Sequence, residues 1–138
     1  MVHRKKIVQL IVSLERGGAE MALLRMLPNL NDEFEHIFIT LRNRGSVADE
    51  FEKLGIQVIP LGQKNIFDFF SYIRLRRILQ SLSPDLIITN LFHADIVGRL
   101  FVQSFVDCKV ISSLVTTYNS RRYCVARVFE RLTRGLAT

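Results

Sequence analysis

Short apolar runs alternate along this chain with longer stretches in which apolar residues recur every three or four positions. Lys6 to Ser13 is apolar almost throughout, as a strand buried on both faces of a parallel sheet would be. After a turn at Leu14 to Gly18, the residues Ala19, Leu23, Met26, Leu27 and Leu30 keep helical spacing, and Pro28 frays or ends that helix. Glu35 to Leu41 reads as a second strand. Ser46 with Asp49 resembles a capping box before a short helix that places Val47, Phe51 and Leu54 on one face and stops at Gly55. Gln57 to Leu61 is then a third strand, Ile66 to Leu82 a helix broken before Pro84, and Leu86 to Thr89 a fourth strand. Ala94, Val97, Leu100, Phe101 and Phe105 make another helix, in which Gly98 permits close backbone contact or is simply tolerated. Lys109 to Val115 is a fifth strand, and Ser120 to Arg134 a last helix with Val125, Val128, Phe129 and Leu132 in one stripe. Strand–helix alternation of this kind predicts a Rossmann-like α/β fold: a parallel sheet with helices on both faces.

In such a sheet, ligands bind outside the carboxyl ends of the strands, so the loops that follow strands are the places to look for chemistry. The first is Arg16-Gly17-Gly18-Ala19-Glu20, where two glycines let a ligand approach the backbone and a helix N-terminus offers unpaired N–H donors to an anion. The dinucleotide pattern G-x-G-x-x-G is not there, and the second strand ends in Thr40-Leu41-Arg42 without an acidic residue for a ribose. The second is Thr89 to Asp95, in which His93 could contact a sugar hydroxyl or a phosphate, or cap the next helix. The third is Thr116-Thr117-Tyr118-Asn119-Ser120-Arg121-Arg122, polar and doubly basic, where Asn119 or Ser120 would also serve as a helix cap.

At 138 residues the chain is expected to be one domain, 1–138. The net charge of +6 is uneven: residues 1–69 carry 9 basic and 9 acidic groups, residues 70–138 carry 10 and 4. A basic second half suits phosphorylated ligands or anionic lipid. Nucleic acid is not expected, because no stacking-aromatic motif accompanies the charge. Cys108 and Cys124 form neither a C-x-x-C pair nor a metal-spaced set, which fits a reducing cytoplasm. The start imitates a signal peptide, with His3 to Lys6 before an apolar run, but Gln9, Glu15 and Arg16 break that pattern. Nothing approaches the roughly 18 apolar residues of a membrane span, so membrane contact would be peripheral. Its expected place is the helix carrying Phe69, Phe70, Arg74, Arg76 and Arg77, which sets more aromatic surface than one core face needs beside a basic cluster, at the inner face of the membrane.

The run from Ile7 to Glu20, with Gly17-Gly18-Ala19-Glu20 after the first strand, resembles the opening of family-four glycosyltransferases. Gly45 to Phe51 with Leu54 to Val58, Pro84 to Ile88, and His93 to Leu100 match the same family in the same order. The resemblance implies the N-terminal, acceptor-side half of a GT-B enzyme, one that moves a hexosyl group from a nucleotide-sugar donor to a lipid-linked or saccharide acceptor in envelope or capsular polysaccharide synthesis. Gly17 and Gly18 would bind the donor diphosphate and His93 would be catalytic. Glu20, Asn90, Tyr118, Asn119, Arg121 and Arg122 would face the acceptor. Tyr118-Asn119 departs from the His-Asn pair that many relatives carry after the fifth strand. The family's donor-binding domain, with its paired glutamates, has no counterpart in these residues, so a C-terminal domain or partner subunit is expected to complete the enzyme, and the chain alone to be inactive. There is no D-x-D pair to hold a metal, and neither metal nor cofactor is expected. The competing expectation is a non-catalytic α/β module that binds a phosphorylated ligand or another protein.

Overall fold

Apolar runs with no polar face can only be buried if both sides of the sheet are covered. The computed structural model, which describes residues 4–30, 32–65 and 67–113, shows how this is done. Strands β1 (Lys5–Ile11), β2 (Phe34–Thr40), β3 (Gln57–Pro60), β4 (Leu86–Asn90) and β5 (Lys109–Ser113) form one parallel sheet in the order β3-β2-β1-β4-β5. Helices α1 (Gly18–Met26), α2 (Ala48–Lys53), α3 (Phe69–Leu82) and α4 (Leu91–Leu100) connect them.

Alternation along the strands divides the core in two. Ile11 and Phe38 turn to a cluster with Leu27, Phe51 and Ile56 on the α2 side, where the Phe38 and Phe51 rings lie 4.9 Å apart. Val8, Leu10, Ile37, Ile39 and Ile87 turn to the other face, against Leu75 and Leu79 of α3 and Ala94 and Val97 of α4. The chain therefore winds outward from β1 to β3, crosses back, and winds outward again from β4 to β5. The reversal falls between β1 and β4, which are paired from Ile7↔Leu86 to Leu10↔Thr89.

Several local expectations need correction. The first helix ends at Met26, half-exposed rather than in the apolar stripe, and passes into a 3-10 turn, Leu27–Asn29, because Pro28 cannot continue an α-helix. Ser46 is no capping residue: Val47 stands at the N-cap of α2 without a side-chain cap, while Asp49 is drawn 2.8 Å from Arg44. The third helix starts at Phe69, where Asp68 caps it by accepting from the Ser71 amide; Ile66 lies outside the described residues. Helix α4 starts earlier than expected and gives way to a 3-10 turn, Val102–Ser104, short of Phe105. Gly98 does make a close contact, since a Cβ there would run into Thr89 Cγ2 on the strand beneath. The last expected helix, with Cys124, lies outside the described residues.

One buried group makes stability depend on pH. His36 of β2 is 6% exposed, and neither ring nitrogen has a hydrogen-bond partner among the described residues. Burial lowers its pKa from the ordinary 6.5, so the folded state holds it neutral while the unfolded chain takes up a proton. Folded-state pKa below unfolded pKa means full stability above about pH 6.5 and progressive loss as pH falls below it. Half-buried His93 is shifted the same way. Urea unfolding at pH 7.5 and 5.5 should show the chain weaker at 5.5, with a smaller difference in His36→Leu; an unchanged difference would remove His36 as the cause.

Candidate functional site

The carboxyl ends of β1, β2 and β4 face the same edge, and the reversal between β1 and β4 opens a crevice there. The loop after β1 is pinned in place. Leu14 donates to the Arg44 carbonyl at 3.1 Å and accepts from Val47 at 2.9 Å, which ties it to the loop after β2. Gly45 makes this possible: its φ is +86°, and a Cβ would collide with the Leu14 backbone. Gly17 then stands at the N-cap of α1 in extended conformation, φ −129° and ψ 174°. Gly17 itself has no side chain with which to cap this helix end. Among the described residues no atom comes near the position of a Cβ on Gly18, which leaves room for a ligand beside the first turn of α1.

On the other side of the crevice, Asn90 takes an extended N-cap conformation and α4 begins at once, so His93 sits in the first turn of a helix rather than in a loop. The imidazole is half-buried, and its pKa is lowered first by burial and then by the positive charge of Arg42. At neutral pH it is therefore uncharged and able to accept a hydrogen bond or a proton.

Two residues expected to face an acceptor are turned inward. Asn90 is 2% exposed and donates to Gln9 Oε1 at 2.7 Å, joining β4 to β1 beneath the crevice. Glu20 is also buried, and its carboxylate lies where a side chain on Gly17 would go. Tyr118, Asn119, Arg121 and Arg122 lie outside the described residues. Below His93, Asp95 and Arg99 form a buried ion pair at 2.9 Å, and Asp95 also accepts from Thr89 Oγ1 at 3.1 Å and from Ser112 Oγ. The separation of Asp95 and Arg99 by four residues was the signal in the sequence; what hid the pair is that such spacing usually marks an exposed helix face. Arg42 stands where a dinucleotide-binding fold would carry an acidic ribose ligand, and its place at the same sheet edge as His93 follows from the strand order alone.

The five residues expected at a membrane surface are all exposed. Phe67, Phe69 and Phe70 are 89%, 69% and 77% exposed. Arg74, Arg76 and Arg77 are exposed too, with Arg74 donating to the Leu61 carbonyl at 2.6 Å and Arg76 lying 6.0 Å over the Phe105 ring. Tyr72 of the same helix belongs to the core, stacked 4.1 Å from the Phe101 ring. No helix among the described residues is long and apolar enough to cross a membrane, and no cluster there of three or more His, Cys, Asp or Glu could hold a metal.

A five-stranded parallel sheet with this order, two covered faces and an open carboxyl edge defines a Rossmann-like α/β domain of the kind found in GT-B glycosyltransferases. The chain is homologous to a glycosyltransferase: it is 35% identical over 71 residues to the capsular polysaccharide biosynthesis glycosyltransferase CapH of Staphylococcus aureus, a match covering 51% of this chain and 20% of CapH. Among solved structures, HepE of Anabaena, in complex with UDP and glucose, superposes with a TM-score of 0.71 at 19% identity, over 97% of this chain and 35% of HepE. A glycosyltransferase from Rickettsia africae gives 0.61 at 14% identity, over 88% and 33% of the two chains. UDP-GlcNAc 2-epimerase from Neisseria meningitidis, bound to UDP-GlcNAc, gives 0.56 at 14% identity, over 96% and 38%. The chain thus spans about a third of the length of these structures. No family model matches it. The epimerase shows that one fold carries more than one reaction, so function has to be argued from the crevice.

Proposed function

We propose that the chain forms the acceptor-side half of a family-four glycosyltransferase, which moves a hexosyl group from a nucleotide-sugar to a lipid-linked or saccharide acceptor in envelope or capsular polysaccharide synthesis. One observation carries the reading: in a chain homologous to CapH, the Gly17-Gly18 turn and His93 flank the crevice where the sheet reverses direction. Transfer leaves a nucleoside diphosphate, so donors must be aimed at developing negative charge. The first turn of α1 offers backbone N–H groups, and its dipole contributes about 0.3–1 kcal/mol toward an anion, up to about 2 when partly buried. Uncharged His93 accepts a hydrogen bond or proton from a sugar or acceptor hydroxyl. Asn90 and Glu20, being buried, support these loops from below, and Tyr118, Asn119, Arg121 and Arg122 supply further acceptor contacts. A donor-binding half completes the site.

His93→Ala and Gly18→Val should each lower transfer by the enzyme joined to its donor-binding half at least tenfold, about 1.4 kcal/mol in the transition state. Because a Cβ on Gly18 meets no atom of the described residues, the stability of this variant should barely change, and the lost activity then reports lost ligand space. Activity kept in both variants, or lost only in step with thermal stability, would contradict the assignment. Binding of UDP without any transfer would point to the non-catalytic module instead.

A further inference from the structure

We propose that Arg42 is a phosphate-binding residue of this same crevice, gripping a diphosphate from the β2 side while His93 and the first turn of α1 hold it from the β4 and β1 sides. The inference rests on the reading of the crevice given above and adds a residue to it. The Arg42 amide donates to the Val12 carbonyl at 3.0 Å and its own carbonyl accepts from Gly62 at 3.0 Å, so its backbone is fixed between the loops after β1 and β3. The guanidinium thus starts from a rigid mount at the carboxyl edge.

Charge compensation sets it apart from its neighbours. Arg16 is paired with Glu50 at 2.8 Å, and Arg44 with Asp49 at 2.8 Å and Glu52 at 2.7 Å. Arg42 is exposed and makes no ion pair among the described residues. Across β1 from it, in the order β2-β1-β4, α4 begins with His93 in its first turn. Arg42, just past the end of β2, and His93, in the first turn of α4, therefore stand on either side of β1, whose loop leads into the N-terminus of α1. Such a place attracts an anion. Strands β2 and β4 are two spacings apart, roughly 10 Å, a gap that a diphosphate closes with the reach of an arginine. The planar guanidinium fork matches phosphate oxygens in pairs, which a lysine cannot reproduce.

The diphosphate can come from the nucleotide donor or from a lipid-linked acceptor, and calorimetric titration of the 138-residue chain with inorganic pyrophosphate, UDP and geranyl diphosphate separates the two. In Arg42→Gln, pyrophosphate affinity should fall at least tenfold, Arg42→Lys should recover part of it, and Arg44→Gln should match the parent. Whichever of UDP and geranyl diphosphate shows the same tenfold loss identifies the source. Unchanged affinity in Arg42→Gln, or an equal loss in Arg44→Gln, overturns the inference while leaving the crevice assignment intact. A parent chain that binds none of the three probes overturns both. Circular dichroism of each variant, all at exposed positions, confirms that folding is retained.

Discussion

Asp95→Ala should cost the fold about 3–5 kcal/mol, a large part of the roughly 5–15 kcal/mol that holds a domain together. Asp95 and Arg99 are each 5% exposed at the side chain and stand 2.9 Å apart under α4. Thr89 and Ser112 from β4 and β5 donate to the same carboxylate, so it ties the helix to two strands. Removing it breaks a buried ion pair from one side, which costs far more than the pair itself contributes. The contrast is the double replacement Asp95→Leu with Arg99→Met, which removes both charges and should recover most of the loss. Urea unfolding of the three variants checks this. A loss below about 1 kcal/mol in Asp95→Ala would show that Arg99 relaxes into solvent and that the pair does not anchor α4.

The second large effect is expected at a lipid surface. Phe67, Phe69 and Phe70 project from the start of α3, and Arg74, Arg76 and Arg77 are exposed further along the same helix. Each arginine beside anionic lipid contributes roughly 1 kcal/mol, so three contribute about 3 kcal/mol, a gain on the order of a hundredfold in binding. Changing all three to Ser should therefore weaken sedimentation with anionic vesicles about a hundredfold. Because Arg74 also holds the Leu61 carbonyl, Arg76→Ser with Arg77→Ser is the cleaner variant and should give roughly two-thirds of the free-energy loss. Rising salt should weaken binding, since exposed charges are screened over about 8 Å at physiological ionic strength. Equal binding to neutral and anionic vesicles, or full binding by the triple variant, would contradict the proposal.

The strands and their parallel arrangement were legible because a sheet covered on both faces demands continuous apolar runs, and Val8, Leu10, Ile37, Phe38 and Ile39 are all buried as that pattern requires. Helix starts were less legible. They depend on which backbone turns first: capped by Asp68, α3 starts at Phe69, three residues beyond the point that the apolar spacing suggested, and Asn90 admits α4 early enough to put His93 inside it. The Gly17-Gly18 turn could be read from residue type, because it combines glycine with the end of a buried strand. The placement of Arg42 across β1 from His93 could not, since these residues are 51 positions apart and reach the same edge only through the β2-β1-β4 order. Asn90 and Glu20 looked like ligand contacts because they are polar and follow the right strands. Burial depends on what packs above them, which no local pattern records.

The proposed function divides labour between two halves, and a sugar-transfer assay tests that division most directly. With a radiolabelled nucleotide-sugar and membrane lipid extract as acceptor, the 138 residues alone should fold and transfer nothing, whereas the same residues joined to a glycosyltransferase's donor-binding half should transfer sugar and lose at least tenfold of that activity in His93→Ala. Turnover by the isolated chain, or transfer by the joined protein that His93→Ala leaves untouched, would contradict it.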